Sequence, residues 1–252
     1  MLSQKQVDTY HEQGYVIPDF QLDQAIVDDI RQQHEQLLAR HPQFADYCPA
    51  LLAYDTGFLN YIRTEPILDM VGQLIGDDFA LWNASFFAKP ARKGRRVPWH
   101  QDGEYWPIRP LATCSVWLAL DDATIDNGCL ELIPGSHRRT ELLPHHMNPS
   151  KDLALPLELD PTGYDETAAV PICLKAGQLS LHDIFMVHGS EPNLSDHPRR
   201  AMTMRFMPTT SLYDRAQAAR NPRDGRLSMS ERTLFLMRGV DRNGNNDFRV
   251  RY

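Results

Sequence analysis

The sequence lacks long apolar runs, paired cysteines and an excess of positive charge. No stretch of about 18 or more apolar residues occurs, and the first residues lack the apolar core of a signal peptide, so we expect a soluble, cytoplasmic protein that does not enter a membrane. Its 4 cysteines form no Cys-x-x-Cys pair, which argues against a zinc knuckle and a dense disulfide framework. A net charge of −7 argues against a general nucleic-acid-binding surface, and no nucleic-acid partner is expected.

The composition is that of an ordinary globular chain. Hydrophobic residues make up 42% and charged residues 23% of the 252 residues, which predicts a substantial core. A chain of this length is compatible with one domain over residues 1–252. We divide it into a helical part over about 1–78, a β core over about 79–210 and a C-terminal extension over 211–252.

Three helices are predicted in the first third. Ser3 can cap a helix that ends at Gly14. Apolar residues recur at helical spacing over residues 22–38, with polar residues between them. Pro66 lies in the first turn of a third helix that spans about 64–76. These helices are expected to pack on the outside of a β structure.

After about residue 79 the pattern changes to short runs rich in aromatic and β-branched residues, separated by Pro, Gly and Asn. Many short strands predict a barrel or a double-sheet jelly roll. Residues 137–168 and 208–252 are predicted to be irregular, as lids and binding segments often are. The predicted strands are 79–88, 115–120, 129–133, 169–174, 178–181, 185–188 and 201–207.

The first candidate site is the segment that contains His100 and Asp102. On a strand end, residues i and i+2 point to the same side and can bind one ion. The pair is weak evidence by itself, because His100 follows Pro98 and could equally be a partly exposed loop histidine. The pair therefore needs a further ligand elsewhere in the chain.

His188 is that candidate, since it ends an apolar run and is followed by Gly189 and Ser190. Non-haem Fe(II) oxygenases bind the metal on one face with two imidazoles and one carboxylate, leaving positions for a bidentate cosubstrate and dioxygen. Arg199 could pair with a carboxylate of such a cosubstrate. The alternatives are a core histidine at 188 and a surface arginine at 199.

Other histidines are interpreted as structural. His137 lies in a Pro-Gly turn, where its polar groups would cap local backbone. His182 stands next to Asp183 and lacks the i, i+2 spacing. His145 and His146 are expected on a flexible loop, where they could bind a metal only adventitiously.

Taken together, several motifs make the chain resemble the phytanoyl-CoA dioxygenase family over roughly residues 5–210. Each motif is weak, but the combination and its order are specific. The motifs are Trp99-His100-Gln101-Asp102, Asp121-Asp122-Ala123-Thr124 with Asn127-Gly128-Cys129, Ile133-Pro134-Gly135-Ser136-His137, and His188-Gly189-Ser190 with Arg199.

The resemblance implies an Fe(II)- and 2-oxoglutarate-dependent dioxygenase on a double-stranded β-helix, a cupin-like jelly roll. It implies that His100, Asp102 and His188 bind the iron. Arg199 matches the arginine that pairs with the far carboxylate of 2-oxoglutarate, and Ser190 matches a hydroxyl that assists it. The reaction implied is hydroxylation of a small molecule by O2, with release of succinate and CO2. A carboxylate at position 102, where related halogenases have a small residue, favours hydroxylation.

Strand parity leaves one choice open. Arg199, Thr203 and Arg205 share one face of the predicted strand, and Arg200 lies on the other. A bulge near Pro198 could exchange the roles of the two adjacent arginines. We prefer Arg199 because its spacing from His188 matches the family.

Substrate contacts are predicted from residues near the ligand segment. Tyr105, Trp106 and Arg109 could line a small-molecule pocket, although the aromatic residues could equally belong to the barrel core. A basic run precedes the ligand strand, and it is either a solvated loop or a means of steering an anionic substrate. The run consists of Lys89, Arg92, Lys93, Arg95 and Arg96.

Two other classes of function compete with the oxygenase. In a cupin-like metal-binding protein, the same three ligands would hold another divalent ion, and Arg199 would not be needed. In a binding or structural module, the three residues would bind no metal at all. No residue pattern identifies the substrate, and none defines the oligomeric state.

Overall fold

The helices form where the sequence supplies caps and periodic apolar residues. A computed structural model describes residues 1–220 and 228–251, with only the backbone described for Tyr105 and residues 249–251. The first helix follows Ser3, whose Oγ accepts from the Gln6 amide at 3.3 Å, and it ends at Gly14 with a φ of 83°. The α-helices are α1 (Gln4–Gln13), α2 (Gln24–Arg40), α3 (Leu51–Tyr54), α4 (Leu59–Ile62), α5 (Glu65–Ile75) and α6 (Arg215–Arg220).

The strands begin at residue 15 and dominate the chain after α5. Their order along the chain alternates between two sheets, as in a jelly roll. The strands are β1 (Tyr15–Val16), β2 (Tyr47–Cys48), β3 (Phe79–Lys89), β4 (Val97–His100), β5 (Ile108–Arg109), β6 (Cys114–Ala119), β7 (Leu130–Leu132), β8 (His145–Met147), β9 (Leu157–Leu159), β10 (Val170–Ile172), β11 (Leu179–Asp183), β12 (His188–Ser190), β13 (Arg199–Pro208), β14 (Leu212–Tyr213), β15 (Leu234–Arg238) and β16 (Phe248–Arg251).

Two sheets carry the site. The larger has the order β1-β11-β6-β13-β3-β15-β16, with β2 also paired to β3. The smaller has the order β10-β7-β12-β4 and is antiparallel. Short ribbons formed by β5 with β14 and by β8 with β9 lie outside these sheets. The mainly β, jelly-roll fold with flanking helices is therefore confirmed.

The long strand β13 shows how its two faces are used. Met202, Met204 and Phe206 belong to the apolar core that also contains the buried faces of α1, α2 and α5. Arg199, Thr203 and Arg205, on the other face, line a cavity between the sheets. Alternation along one strand thus separates the helix-covered core from the polar interior.

Two predictions about secondary structure are wrong. The predicted strand 185–188 does not form over 185–187, because Asp183 Oδ1 accepts from the Phe185 amide at 2.8 Å and turns the chain before β12 begins at His188. The segments 137–168 and 208–252 are not uniformly irregular, since they contain β8, β9 and β15. A short apolar run cannot be assigned to a strand by periodicity alone, so the sequence does not predict β15.

β15 extends the larger sheet by pairing antiparallel with β3. The C-terminal segment thereby contributes to the main β structure. Over residues 1–220 and 228–251, no helix combines the length and the apolar character needed to cross a bilayer.

Candidate metal centre

The two histidines are brought together by strand pairing. His100 ends β4 and His188 begins β12, and the two residues occupy directly opposite positions in the antiparallel register. Their ring centroids are 4.2 Å apart. Asp102 lies beyond the strand, at the start of a 3-10 helix, so the strand-end argument holds for His100 but not for Asp102. Ligand atoms of these three residues nevertheless lie within 4.8 Å of one another.

Backbone carbonyls orient both imidazoles. Nδ1 of His100 lies 2.8 Å from the Pro98 oxygen, and Nδ1 of His188 lies 2.9 Å from the Met186 oxygen. Because each Nδ1 donates to a carbonyl, each Nε2 presents its lone pair to the centre. Burial lowers the pKa of both histidines, so both rings are neutral at pH 7, as a metal ligand must be.

Asp102 is an ionised carboxylate within this buried centre. Burial by itself would raise the pKa of Asp102, but the Arg205 guanidinium, His182 and the two site histidines hold it well below the usual range. Its Oδ1 is 3.8 Å from Nε2 of His100. Two neutral nitrogens and one charged oxygen thus converge, which is a donor set suited to a divalent transition metal.

Gln101 lies between His100 and Asp102 in the sequence, and its hydrogen bonds fix this turn to neighbouring segments. Its Nε2 donates to the carbonyls of Glu141 and Phe185 at 3.1 and 2.8 Å, and its Oε1 accepts from the Leu143 amide at 2.8 Å. Its own amide donates to Nε2 of His145 at 3.0 Å. The side chain of His145 is therefore a buried hydrogen-bond acceptor. The prediction that His145 and His146 lie on a flexible loop is wrong, because both belong to β8.

Arg199 is a buried cation beside the centre. Its side chain is 2% exposed, Nε donates to the Gly128 carbonyl and Nη1 to the Phe87 carbonyl, each at 3.1 Å. The guanidinium carbon lies 5.3 Å from the ring centroid of Trp117. Among the described residues no carboxylate lies within ion-pair distance of it. Burial lowers the pKa of Arg199 to about 10, so the side chain remains charged at neutral pH.

Arg200 points to the opposite face of β13. It forms a bidentate pair with Asp121, with Nε and Nη2 each 2.9 Å from a carboxylate oxygen. The register shift between β13 and β3 lies at Arg205 and Phe206, far from Pro198. The structure therefore places Arg199, rather than Arg200, in the cavity with the three candidate ligands.

Three further charged or titratable residues lie near the centre. Arg205 and His182 line the same inner cavity as the candidate ligands. Lys89 is also buried, and its Nζ donates to the carbonyls of Ser190 and Glu191. The parity of β13 could have revealed Arg205, since it shares a face with Arg199. No sequence signal distinguishes His182 from a core histidine.

A larger cavity of about 430 Å³ adjoins the centre. His100, Asp102 and Trp106 contribute to its wall, while Ser190 and Arg199 line the inner cavity. The Trp106 ring packs edge-on against Trp82, with 4.5 Å between the centroids. Trp106 thus lines this cavity and also belongs to an apolar core cluster with Trp82, so its contact with a substrate stays a prediction.

The other two predicted substrate contacts are not brought to this cavity by the described structure. Arg109 is exposed, and its Nη1 donates to the carbonyls of Trp106 and Ile108 instead. The side chain of Tyr105 lies outside the described residues. Neither residue therefore supports the predicted contact with a substrate.

The basic run before β4 is largely paired. Arg95 Nε lies 2.9 Å from Asp46 Oδ2, and Arg96 Nη2 lies 2.6 Å from Glu158 Oε1. Lys89 is buried, so the run is not simply a solvated loop. These pairs reduce the positive charge that the run could offer to an anionic substrate.

A family model supplies the comparison that decides the family. The model described as "Phytanoyl-CoA dioxygenase (PhyH)" matches residues 10–201. The chain belongs to this family. It is 31% identical over 152 residues to a phytanoyl-CoA dioxygenase domain-containing protein 1 homolog of Dictyostelium discoideum, covering 60% of this chain and 54% of the relative. It is 32% identical over 164 residues to phytanoyl-CoA dioxygenase domain-containing protein 1 of Rattus norvegicus, covering 63% and 55%. The chain spans about half the length of these curated relatives.

Solved structures agree with this membership. The apo structure of the non-heme monooxygenase ThoJ has a TM-score of 0.74 and 25% identity, covering 96% of this chain and 85% of ThoJ. EvdO2 from Micromonospora carbonacea var. aurantiaca, complexed with 2-oxoglutarate, has a TM-score of 0.69 and 26% identity, covering 82% and 91%. The PhyH family chain therefore shares its fold with a protein solved in complex with 2-oxoglutarate.

Proposed function

We propose that this chain is an Fe(II)- and 2-oxoglutarate-dependent dioxygenase that hydroxylates a small molecule and releases succinate and CO2. The observation that carries the proposal is that one cavity contains both the candidate metal ligands and a buried cation. The three candidate ligands, His100, Asp102 and His188, lie beside Arg199, a buried cation with no described carboxylate partner. A metal site alone would not require that cation.

The donor set fits ferrous iron. Both imidazoles are neutral and aim Nε2 at one point, and the single carboxylate is ionised. Three protein ligands leave positions open for a bidentate cosubstrate and for dioxygen. Bound iron would supply the oxidative chemistry that couples 2-oxoglutarate decarboxylation to substrate oxidation.

Arg199 and Ser190 would hold the cosubstrate. Backbone carbonyls accept from Arg199 but do not neutralise its charge, so a carboxylate entering the cavity would offset the cost of burying it. Ser190 is buried and lines the same cavity. Lys89 fixes the Ser190 backbone by donating to its carbonyl at 3.1 Å. The far carboxylate of 2-oxoglutarate is the group that this arrangement suits.

The larger cavity would take the substrate. Its wall is mostly aromatic and aliphatic, including Trp82, Phe87 and Trp106, and it reaches the candidate ligands at His100. The Arg232 guanidinium carbon lies 5.5 Å from the Trp82 ring centroid, in the same wall. We therefore propose a substrate with a largely apolar body, recognised in this cavity rather than by Arg95 and Arg96.

The test is anaerobic titration of the Fe(II)-loaded protein with 2-oxoglutarate. A weak visible charge-transfer band, which a chelated 2-oxo acid gives on ferrous iron, is expected in the wild type and not in His188→Ala. His146→Ala is the matched control, because His146 is exposed and lies outside the cavities, and it should retain the band. Succinate release in the presence of O2 would then serve to screen largely apolar candidate substrates, with and without an acidic group.

Two results would contradict the proposal. If the protein binds one iron per chain but 2-oxoglutarate produces no charge-transfer band, a cupin-like protein that holds a divalent ion for another purpose would be favoured. Failure of the folded protein to bind Fe(II) at all would favour a binding module.

A further inference from the structure

A third buried imidazole faces the candidate centre without a hydrogen bond of its own. His182 lies on β11 and is 3% exposed, and neither of its ring nitrogens has a hydrogen-bond partner among the described residues. Its Nε2 is 4.0 Å from Oδ2 of Asp102, and its ring centroid is 5.1 Å from that of His188. Buried donors without acceptors are unfavourable, so this placement calls for a partner.

Arg205 faces the same oxygen from another strand. Its Nε also lacks a hydrogen-bond partner and lies 3.6 Å from Oδ2 of Asp102. Its Nη1 donates to the hydroxyls of Ser85 and Thr203 at 3.1 and 3.0 Å. These two bonds fix the guanidinium, so that Nε remains directed towards the carboxylate.

The two oxygens of Asp102 therefore have different surroundings. Oδ1 faces Nε2 of His100 at 3.8 Å, whereas Oδ2 faces the two free donors. Hydrogen bonds of about 3.2 Å to Oδ2 would require the carboxylate to approach Arg205 Nε by about 0.4 Å and His182 Nε2 by about 0.8 Å.

We propose that His182 and Arg205 are positioning residues that hold Oδ2 of Asp102, so that Asp102 offers a metal ion Oδ1 alone. This inference rests on the metal site of the proposed function. In octahedral coordination, three protein atoms, two atoms of a 2-oxo acid and dioxygen fill every position. A second oxygen from Asp102 would displace one of them, so retaining Oδ2 keeps the centre open to both cosubstrates.

The test measures metal binding and ligand geometry without turnover. His182→Leu and Arg205→Met remove the donors, and His182→Gln restores an N–H group at a similar distance. Fe(II) affinity is measured by competition with a chelator, and the geometry of the site by the visible spectrum of the Co(II)-loaded protein. Loss of a group that orients a metal ligand typically weakens metal binding by about 10- to 100-fold.

We expect His182→Leu and Arg205→Met each to weaken Fe(II) binding by about 10-fold and to change the Co(II) spectrum, with partial recovery in His182→Gln. The matched controls are His34→Leu and Arg200→Met. His34 is another buried histidine with two unpartnered nitrogens, and Arg200 lies on the opposite face of β13. Both controls should bind Fe(II) as the wild type does.

Two outcomes would overturn the inference. In the first, folded His182→Leu and Arg205→Met match the wild type in both affinity and spectrum. In the second, His182→Leu abolishes Fe(II) binding as His188→Ala does, which would make His182 a ligand. Circular dichroism establishes folding of each variant. Because these readouts need no 2-oxoglutarate, a wild-type protein that binds metal but lacks the charge-transfer band would count against the proposed function and not against this inference.

Discussion

His100 and His188 are cross-strand neighbours, opposite each other in the register of β4 and β12, with 4.2 Å between ring centroids. A slip of one residue in either strand would turn one imidazole to the other face of the sheet. The pairing of β12 with β7 on its other side, through His188 and Leu132, opposes such a slip. The geometry of the candidate centre is therefore a property of strand register.

Arg199→Met is expected to weaken 2-oxoglutarate binding by about 10- to 100-fold, since a hydrogen bond to a charged group contributes roughly 1.5–3 kcal/mol. The free energy of unfolding should change by less than about 1 kcal/mol, because removal of a buried charge that lacks a described carboxylate partner offsets the hydrogen bonds lost to Gly128 and Phe87. Titration of the charge-transfer band and urea unfolding measure the two quantities.

Arg200→Met should show the reverse behaviour. It removes the bidentate pair with Asp121 and so lowers stability, but it leaves the inner cavity unchanged. Equal 2-oxoglutarate affinity in wild type and Arg199→Met would contradict the assignment of Arg199 as the carboxylate partner.

Gly128→Ala is expected to reduce the free energy of unfolding by about 2–4 kcal/mol, combining left-handed strain with overpacking. Gly128 has a φ of 74°, and a Cβ there would overlap the Glu191 carbonyl oxygen. Its own carbonyl accepts from Arg199, so 2-oxoglutarate affinity should fall as well.

Gly244→Ala is the control that tests left-handed backbone strain without steric overlap. Gly244 has a φ of 78°, but a Cβ there would meet nothing within 4 Å, so a loss of only about 1–2 kcal/mol is expected. Urea unfolding of both variants tests this difference. Equal losses would show that contact with Glu191 does not constrain position 128.

Stability is expected to fall as the pH is lowered from 6.5 to about 4, partly because of His34. Burial, followed by the nearby Arg200, lowers the pKa of His34 from 6.5 to about 4. Within this window the unfolded chain binds a proton that the folded chain does not, so the folded state loses up to about 3 kcal/mol. Above pH 6.5 both states hold a neutral ring and this contribution is constant.

His34→Leu should flatten this part of the profile. The ring of His34 lies 4.3 Å from that of Phe86 in an apolar setting, so leucine is compatible with the site. Urea unfolding at pH 7.5 and 4.5 measures the effect. A wild-type and a variant profile of equal slope would contradict the assignment of this titration to His34.

The sequence was sufficient for the features that local chemistry dictates. Ser3 and Gly14 bound the first helix through a side-chain cap and a left-handed residue. Strand alternation placed Arg199 and Arg200 on opposite faces, and the spacing from His188 that the family resemblance implies favoured Arg199. The combination of motifs predicted the PhyH family, which the family match over residues 10–201 confirmed.

Only the tertiary structure decided what depends on contacts between distant segments. The direction and hydrogen bonding of His182 depend on how β11 faces the ligand turn, and the partners of Arg95 and Arg96 come from other parts of the chain. A sequence motif gives the residue types but not the contacts that their side chains make with segments distant in the chain. For this reason the identity of the ligand candidates could be predicted from the sequence, whereas the donors around the second oxygen of Asp102 could not.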